Sequence, residues 1–503
     1  MDRIEKVLVA NRGEIAVRII RALRELGRAA VAVYSTCDRG SEAVALADEA
    51  YCIGPPEPAK SYLNQPAILE VARRSGADAV HPGYGFLSEN ASFATACREA
   101  GLRFIGPDPE TIDLMGNKLN ARTLATAHGV PVVPGSDHPL DDPNEALAEA
   151  RRIGFPIMIK AAAGGGGKGM RRVDCLADFS EACTRASSEA RTAFGDGSVY
   201  LERFFPTPRH IEFQIVADHH GSFLHLFERE CSIQRRHQKV IEETPSCALD
   251  PELRERMGEA ALRIAKASNY KGVGTVEFLF ERGDFHFLEM NTRLQVEHPI
   301  TELTTGYDLV KAQILLCEGR RLEEVFPDPP RQYGHALECR IYAEDPRTYL
   351  PCPGRIRCLR VPDGPFVRND SYASSGTEVP RHYDPLISKL AVWGRTRAEA
   401  IGRMQRALGE YVLTGISTNL PLHRAVLAHE AFKGGDYDTN FLARYQPLDH
   451  QPVPSGDARE AAHLAAALAV FRQDHAAPPP MTSVPTGNSH PGWKGYGFYE
   501  RLR

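Results

Sequence analysis

The chain has 503 residues, 43% hydrophobic and 25% charged, room for about three domains of an ordinary globular enzyme. A formal net charge of −5 argues against a general nucleic-acid or membrane-surface binder, so any anion site has to be local. Eleven cysteines without a Cys-x-x-Cys pair fit neither a disulfide framework nor a zinc ribbon, the N-terminus MDRIEKVLVANRG turns charged before a signal-peptide apolar stretch can form, and no run approaches about 18 apolar residues; a cytoplasmic protein with reduced thiols is expected.

Between residues 6 and 116, short apolar runs (7–10, 31–34, 79–80, 104–105) alternate with helical stretches such as 15–26, which predicts a parallel sheet with crossover helices. Asn11-Arg12-Gly13-Glu14-Ile15 follows the first strand where a dinucleotide fingerprint would sit, but one glycine in place of three argues against an NAD site. The loop HPGYGFLSEN (81–90) either lines a cleft or is an ordinary βα turn.

From 118 to 330 the pattern changes to longer strands and hairpins mixed with helices. The run 157–160 reads as a strand, followed by AAAGGGGKGM (161–170). Successive glycines let backbone N–H groups close around phosphate oxygens, and Lys160 and Lys168 add positive charge. The spacing is not that of a Walker loop, and a flexible linker is the competing reading. Asp250-Pro251 supplies an N-cap and a first-turn proline, and Leu253, Met257, Ala261 and Ile264 mark one helical face.

The run VGTVEFLF (273–280) reads as a buried strand and 281–284 as a reversal, with FLEMNTRLQVEHP (287–299) beyond it. A hairpin centred on Gly283 sets Glu277 opposite Glu289, with Asn291 following at period two. Like charges facing one another repel, so the pair suggests a bound divalent cation, and all-oxygen ligands suggest Mg²⁺ or Mn²⁺. A register one residue away would instead leave a solvated face. Pro327-Asp328-Pro329-Pro330 reads as a linker, 334–445 as a third unit opening on the strand 336–341, and the remainder as an Ala-rich helix (461–471), a proline cluster (478–480) and a Gly/Trp/Tyr-containing end.

A glycine loop, Lys118, Lys160 and a hairpin carboxylate pair together resemble the ATP-grasp fold. Six separated stretches, ANRGEIAVRI, HPGYGFLSEN, LMGNK, GGGGKGM, ERECSIQRRHQKVIEE and EMNTRLQVEHP, resemble biotin carboxylase over residues 4–445. The resemblance implies an α/β fold, α+β in its central part: a Rossmann-like N-terminal domain (1–114), an ATP-grasp domain (115–330) with a glycine-rich lid around 131–204, a C-terminal biotin carboxylase domain (334–445) and a tail (446–503), disordered or partner-binding.

It also implies roles. Lys118, Lys160, Gly166, Gly167, His210, Gln234, His237 and Leu279 match ATP-contacting positions, and Glu202, Arg203, Phe204 and Phe205 the adenine hinge. Glu277, Glu289 and Asn291 match the metal ligands, with the two glutamates also counted in the ATP site. Lys239, Arg293, Gln295 and Val296 match the bicarbonate pocket, Glu297 the base, Arg340 the group that meets the biotin ureido, and Tyr84 a position near biotin. Taken alone, Glu297 beside His298 also reads as a surface pair, and Arg340 as a structural salt bridge. Ala163, where the bacterial single-subunit type often has a glycine, and Lys168, in place of an arginine, resemble the acyl-CoA carboxylase branch, and Arg203 stands where a lysine is common; these departures put the acyl acceptor in doubt rather than the first reaction.

The implied reaction is ATP- and bicarbonate-dependent carboxylation of biotin. The sequence contains no Met-Lys-Met and no room for a carboxyltransferase domain, so biotin is expected on a separate carrier protein, with carboxyltransferase subunits and a homodimer or higher assembly as partners and fatty-acid biosynthesis as the setting. The alternatives are the ATP-binding subunit of a two-subunit pyruvate or 2-oxoacid carboxylase, another ATP-grasp ligase such as a carbamoyl-phosphate-forming enzyme, and a non-catalytic nucleotide-binding subunit.

Overall fold

The computed structural model describes residues 3–140, 142–161 and 170–449, with isolated helical positions between 461 and 468. The glycine run, with Gly166, Gly167 and Lys168, lies outside the described residues, as do the proline cluster and most of the tail. The chain divides into two units, Met1–Pro447 and Leu448–Arg503. Among the described residues no helix is long and apolar enough to cross a membrane.

The N-terminal alternation forms five parallel strands in the order Glu49–Gly54, Ala29–Ser35, Lys6–Val9, Ala79–His81, Arg103–Phe104. Val7, Leu8 and Val9 are all fully buried, as expected where helices cover both faces of a parallel sheet. Gly13 turns the first strand into the helix Gly13–Glu25 at φ +68, a left-handed conformation that a Cβ would strain.

On either side of the glycine run in sequence, three antiparallel strands, Arg171–Val173, Ile157–Ala161 and Val199–Arg203, pack with the helices Pro143–Ile153 and Phe179–Phe194 on a small core that includes Ile157, Ile159, Phe179 and Leu201.

The largest element is an antiparallel sheet of eight strands, in the order Asp284–Asn291, Gly272–Glu281, Arg209–Ala217, Phe223–Arg235, Gln238–Thr244, His335–Tyr342, Leu386–Gly394, Val367–Ser371. The strand that opens the third expected unit, His335–Tyr342, therefore hydrogen-bonds directly to Gln238–Thr244. The helix Pro251–Ala267 starts as its sequence predicts. The Asp250 carboxylate accepts from the Leu253 N–H at 2.8 Å, and Leu253, Met257, Ala261 and Ile264 are buried.

Glu243 fastens the later strands to the earlier ones. Its carboxylate accepts from His335 at 2.6 Å, from Arg397 at 2.7 and 3.0 Å, and from the Tyr437 hydroxyl. Burial alone would raise its pKa, but hydrogen bonds and charge from His335 and Arg397 pull it down to about 2. A depressed carboxyl contributes stability above its unfolded value, lost as pH falls toward the folded one, here on the order of 3 kcal/mol. Glu243→Gln is expected to lower the melting temperature at neutral pH, with the gap from the parent narrowing as pH falls below about 5. A gap that ignores pH in thermal melts would show that charge is not the cause.

Candidate active site

The hairpin turns on Arg282-Gly283, at φ 54 and 91, the signature of a tight two-residue turn matched to strand twist. That pairs Glu281 with Asp284, and a bulge next to Glu277 then shifts the register so that Glu277 faces Glu289 and Thr275 faces Asn291. The predicted carboxylate pair is present; the register one residue away is not the one that forms.

The next strand continues the row. Glu212 lies opposite Glu277, and Arg229 opposite Glu212. Three carboxylates thus line up across three adjacent strands, an arrangement that repels unless cations are interleaved. Lys239 supplies one: its ammonium donates to Glu212, to Glu277 at 2.9 Å and to Glu297 at 2.7 Å. Arg229, fully buried, donates to Glu212 at 2.6 Å and to Gln214, Thr301 and Thr275.

Glu297 is fully buried, so it is no surface pair. Its second oxygen accepts from Arg340 at 2.9 Å, and Arg340 also donates to Glu242 at 2.6 Å. Arg293 donates to Glu89 at 2.8 Å and to the side-chain amide oxygen of Asn291 at 2.9 Å. Glu89 belongs to the HPGYGFLSEN loop, which therefore lines the site. The amides of Asn291 and Gln295 donate to Glu277 at 2.8 and 3.0 Å, and the Val296 carbonyl accepts from Lys389 at 2.9 Å.

On the other side, Lys118 lies 3.4 Å from Glu289. Lys160 pairs with Glu202, which Arg122 also meets at 3.1 Å. The segment 202–205 is held by backbone bonds from Arg203 to Pro134 and from Phe204 to Pro156, with the Phe205 ring 5.0 Å from that of His286. Leu279 faces His210 across the sheet, the Gln234 amide donates to the Cys231 carbonyl at 2.8 Å, and His237 sits in the turn before Gln238–Thr244 at φ 65. The Tyr84 ring centroid lies 5.7 Å from the Lys389 ammonium.

Residues 3–112 match the family model of the biotin carboxylase N-terminal domain, 117–325 that of the carbamoyl-phosphate synthase L chain ATP-binding domain, and 338–444 that of the biotin carboxylase C-terminal domain. The chain is 52% identical over 442 residues to a biotin carboxylase of a Nostoc species, covering 88% of this chain and 99% of the relative. The chain belongs to the biotin carboxylase family. It is likewise 52% identical to a pyruvate carboxylase subunit of Methanothermobacter thermautotrophicus, over 88% of this chain and 90% of that one. A solved biotin carboxylase domain dimer of the Hydrogenobacter thermophilus 2-oxoglutarate carboxylase, in complex with MgADP, ADP and bicarbonate, superimposes with a TM-score of 0.86 at 44% identity, covering 90% of this chain and 100% of that one.

The electrostatics of this biotin carboxylase site divide its buried carboxylates into two groups. Burial would raise all of them, but Lys239 and His210 hold Glu277 well below the ordinary range, and Lys239 and Arg340 do the same to Glu297. Glu212 and Glu242 go the other way: burial, reinforced by the charge of Glu297, raises Glu212, and burial pushes Glu242 up to about 7 against the pull of Arg340. Lys239 loses affinity for its proton through burial and regains more from its three carboxylates, so it stays charged. Environments that push neighbouring titratable groups apart are the usual mark of acid–base chemistry.

Glu277 and Glu289 offer oxygen ligands of the kind a divalent cation prefers, and Lys239 and His210 keep the Glu277 carboxyl well below the ordinary range. Among the described residues, Glu277 groups with His210 and Glu212, their ligand atoms all within 4.8 Å of one another; Glu289 is not in that group, and the side-chain oxygen of Asn291 accepts from Arg293.

Glu212, Arg229, Glu242 and Glu89 were not singled out by sequence reasoning. A signal existed for Glu212: His210, Glu212 and Gln214 alternate at period two inside a strand buried over almost its whole length, where polar side chains need partners.

Proposed function

We propose that this chain carries out the ATP- and bicarbonate-dependent carboxylation of biotin borne by a separate carrier protein. The observation that carries this reading is the largely buried chain Glu277–Lys239–Glu297–Arg340, in which a candidate metal ligand, an anion-binding cation, a base and a second cation meet in direct contact.

Bicarbonate would lodge between Lys239 and Arg293, beside Gln295 and Val296. All three donors of the Lys239 ammonium are engaged by carboxylates. A bound anion needs one of them, and drawing that donor from Glu297 raises the carboxylate's proton affinity as the bicarbonate proton becomes available. Glu297 takes that proton; the bicarbonate oxygen attacks the γ-phosphorus, the bond to the β-phosphate oxygen breaks, and ADP departs from carboxyphosphate. Lys118 and Lys160 are assigned to offsetting charge on the phosphates, together with the glycine run that carries Gly166 and Gly167. A magnesium ion held by Glu277 and Glu289, with Asn291 alongside, would supply further charge neutralisation there.

Carboxyphosphate then breaks its carboxyl C–O bond to give CO₂ and phosphate. The phosphate accepts the biotin N1 proton, N1 bonds to CO₂, and Arg340 stabilises the negative charge that develops on the ureido oxygen. The segment 202–205 and Leu279 are assigned to adenine, His210, Gln234 and His237 to the nucleotide, and Tyr84 to the approach of biotin.

Purified chain with Mg²⁺ is expected to hydrolyse ATP faster when bicarbonate and free biotin are both supplied. Turnover indifferent to biotin would sink the assignment and favour a nucleotide-binding subunit without carboxylase chemistry. Glu289→Gln, which keeps shape and removes charge, is expected to weaken Mg-ATP binding about tenfold or more. Titration with Mg-ATP and Mn-ATP checks it, and an unchanged dissociation constant would remove Glu289 from the metal site.

For the final acceptor, Ala163 and Lys168 favour acetyl-CoA or a related acyl-CoA. The equal identities to a biotin carboxylase and to a pyruvate carboxylase subunit keep pyruvate as the second reading. The carboxyltransferase that co-purifies with the chain distinguishes them. A homodimer is proposed on the likeness to the dimeric biotin carboxylase domain.

A further inference from the structure

Lys389 is fully buried in the strand Leu386–Gly394, directly opposite Arg340. Two cations facing one another across a sheet repel, and each buried charge is costly to desolvate. Arg340 meets that cost with Glu242 and Glu297. Lys389 meets it with Glu14, 3.2 Å away in the first turn of the helix Gly13–Glu25, and with Asp370 at 4.0 Å, which Arg368 also holds. Within reach of the Lys389 charge lie Glu338, whose buried oxygens have no hydrogen-bond partner, and the buried ring of His298.

The ammonium's hydrogen bond goes to the Val296 carbonyl at 2.9 Å. The two facing cations therefore grip successive residues: Lys389 holds the backbone of Val296, and Arg340 the side chain of Glu297. The Val296 carbonyl and the Glu297 N–H share one rigid peptide plane. Fixing that carbonyl fixes the plane, and with it the direction in which Glu297 leaves the backbone and the place of Val296 in the anion pocket. A methionine would fill similar space without an ammonium, so packing alone does not account for a lysine here.

We propose that Lys389 is a positioning residue for the bicarbonate step, orienting the Val296–Glu297 peptide and coupling the N-terminal helix, through Glu14, to the site of proton removal. This rests on the bicarbonate chemistry proposed above; a parent enzyme whose ATP cleavage ignores bicarbonate would overturn that chemistry, whereas the variants below test Lys389 itself.

Burial lifts the Glu14 carboxyl to about 7 with Lys389 opposing, so Lys389→Met is paired with Glu14→Gln to leave no uncompensated charge. Lys389→Arg is the second variant; it keeps the charge but displaces the donor. In both, the KM for bicarbonate is expected to rise about tenfold or more, as for loss of one buried hydrogen bond with misplacement of the groups it held. The KM for Mg-ATP should stay within about twofold. A parental bicarbonate KM in either folded variant, or an equal rise in both constants, would overturn the proposal. If the paired variant fails to fold, Lys389→Arg alone carries the same two readouts, and melting curves on both separate lost stability from lost positioning.

Discussion

Glu297→Gln is expected to cut bicarbonate-dependent ATP cleavage by about 10²–10⁴-fold, the usual size of a lost general base. The amide keeps the shape and one acceptor oxygen but cannot take the bicarbonate proton. The surroundings tolerate the change: Lys239 retains Glu212 and Glu277, and Arg340 retains Glu242. Mg-ATP affinity should therefore stay near the parental value, because the loss falls on a step after nucleotide binding. Since Lys239 and Arg340 hold the Glu297 carboxyl well below the ordinary range, it is ionised in the free parent across about pH 6–8, and kcat/KM for bicarbonate should show no acid limb from this group there. A coupled ADP assay measures both quantities. A parental rate in the glutamine variant would remove Glu297 from proton transfer.

Arg340→Ala is expected to separate the two half-reactions. Carboxybiotin formation should fall by about 10²-fold or more, as for loss of one preorganised oxyanion donor. Bicarbonate-dependent ATP cleavage should fall less. It should not be untouched, because Arg340 also donates to Glu297, and truncation leaves that oxygen and Glu242 without their cation. Equal loss of both activities in a folded variant would move Arg340 into the bicarbonate site. A normal carboxybiotin yield would make it a structural arginine, a role its two buried ion pairs already support.

The chemistry within short stretches was legible in the sequence because its geometry is local. Period-two alternation and a tight turn near Gly283 are enough to set Glu277 against Glu289, although the turn is one residue shorter than the symmetric reading implies and a bulge restores the pairing. Asp250-Pro251 and the apolar spacing after it similarly determine where a helix begins and which face it buries. Strand order is a different matter. Glu297 meets Lys239 across 58 residues, Glu242 meets Arg340 across 98 and Glu89 meets Arg293 across 204. Such contacts follow from which strands lie side by side, and that depends on the burial of whole sheet faces, to which no short pattern refers. The matched stretches were therefore enough to place the family, and local pattern was enough to set Glu277 against Glu289. Long-range packing was needed to set one lysine between three carboxylates and to bring Lys389 to the backbone beside the base, because each of those contacts needs strands from distant parts of the chain packed against one another before a single hydrogen bond can form.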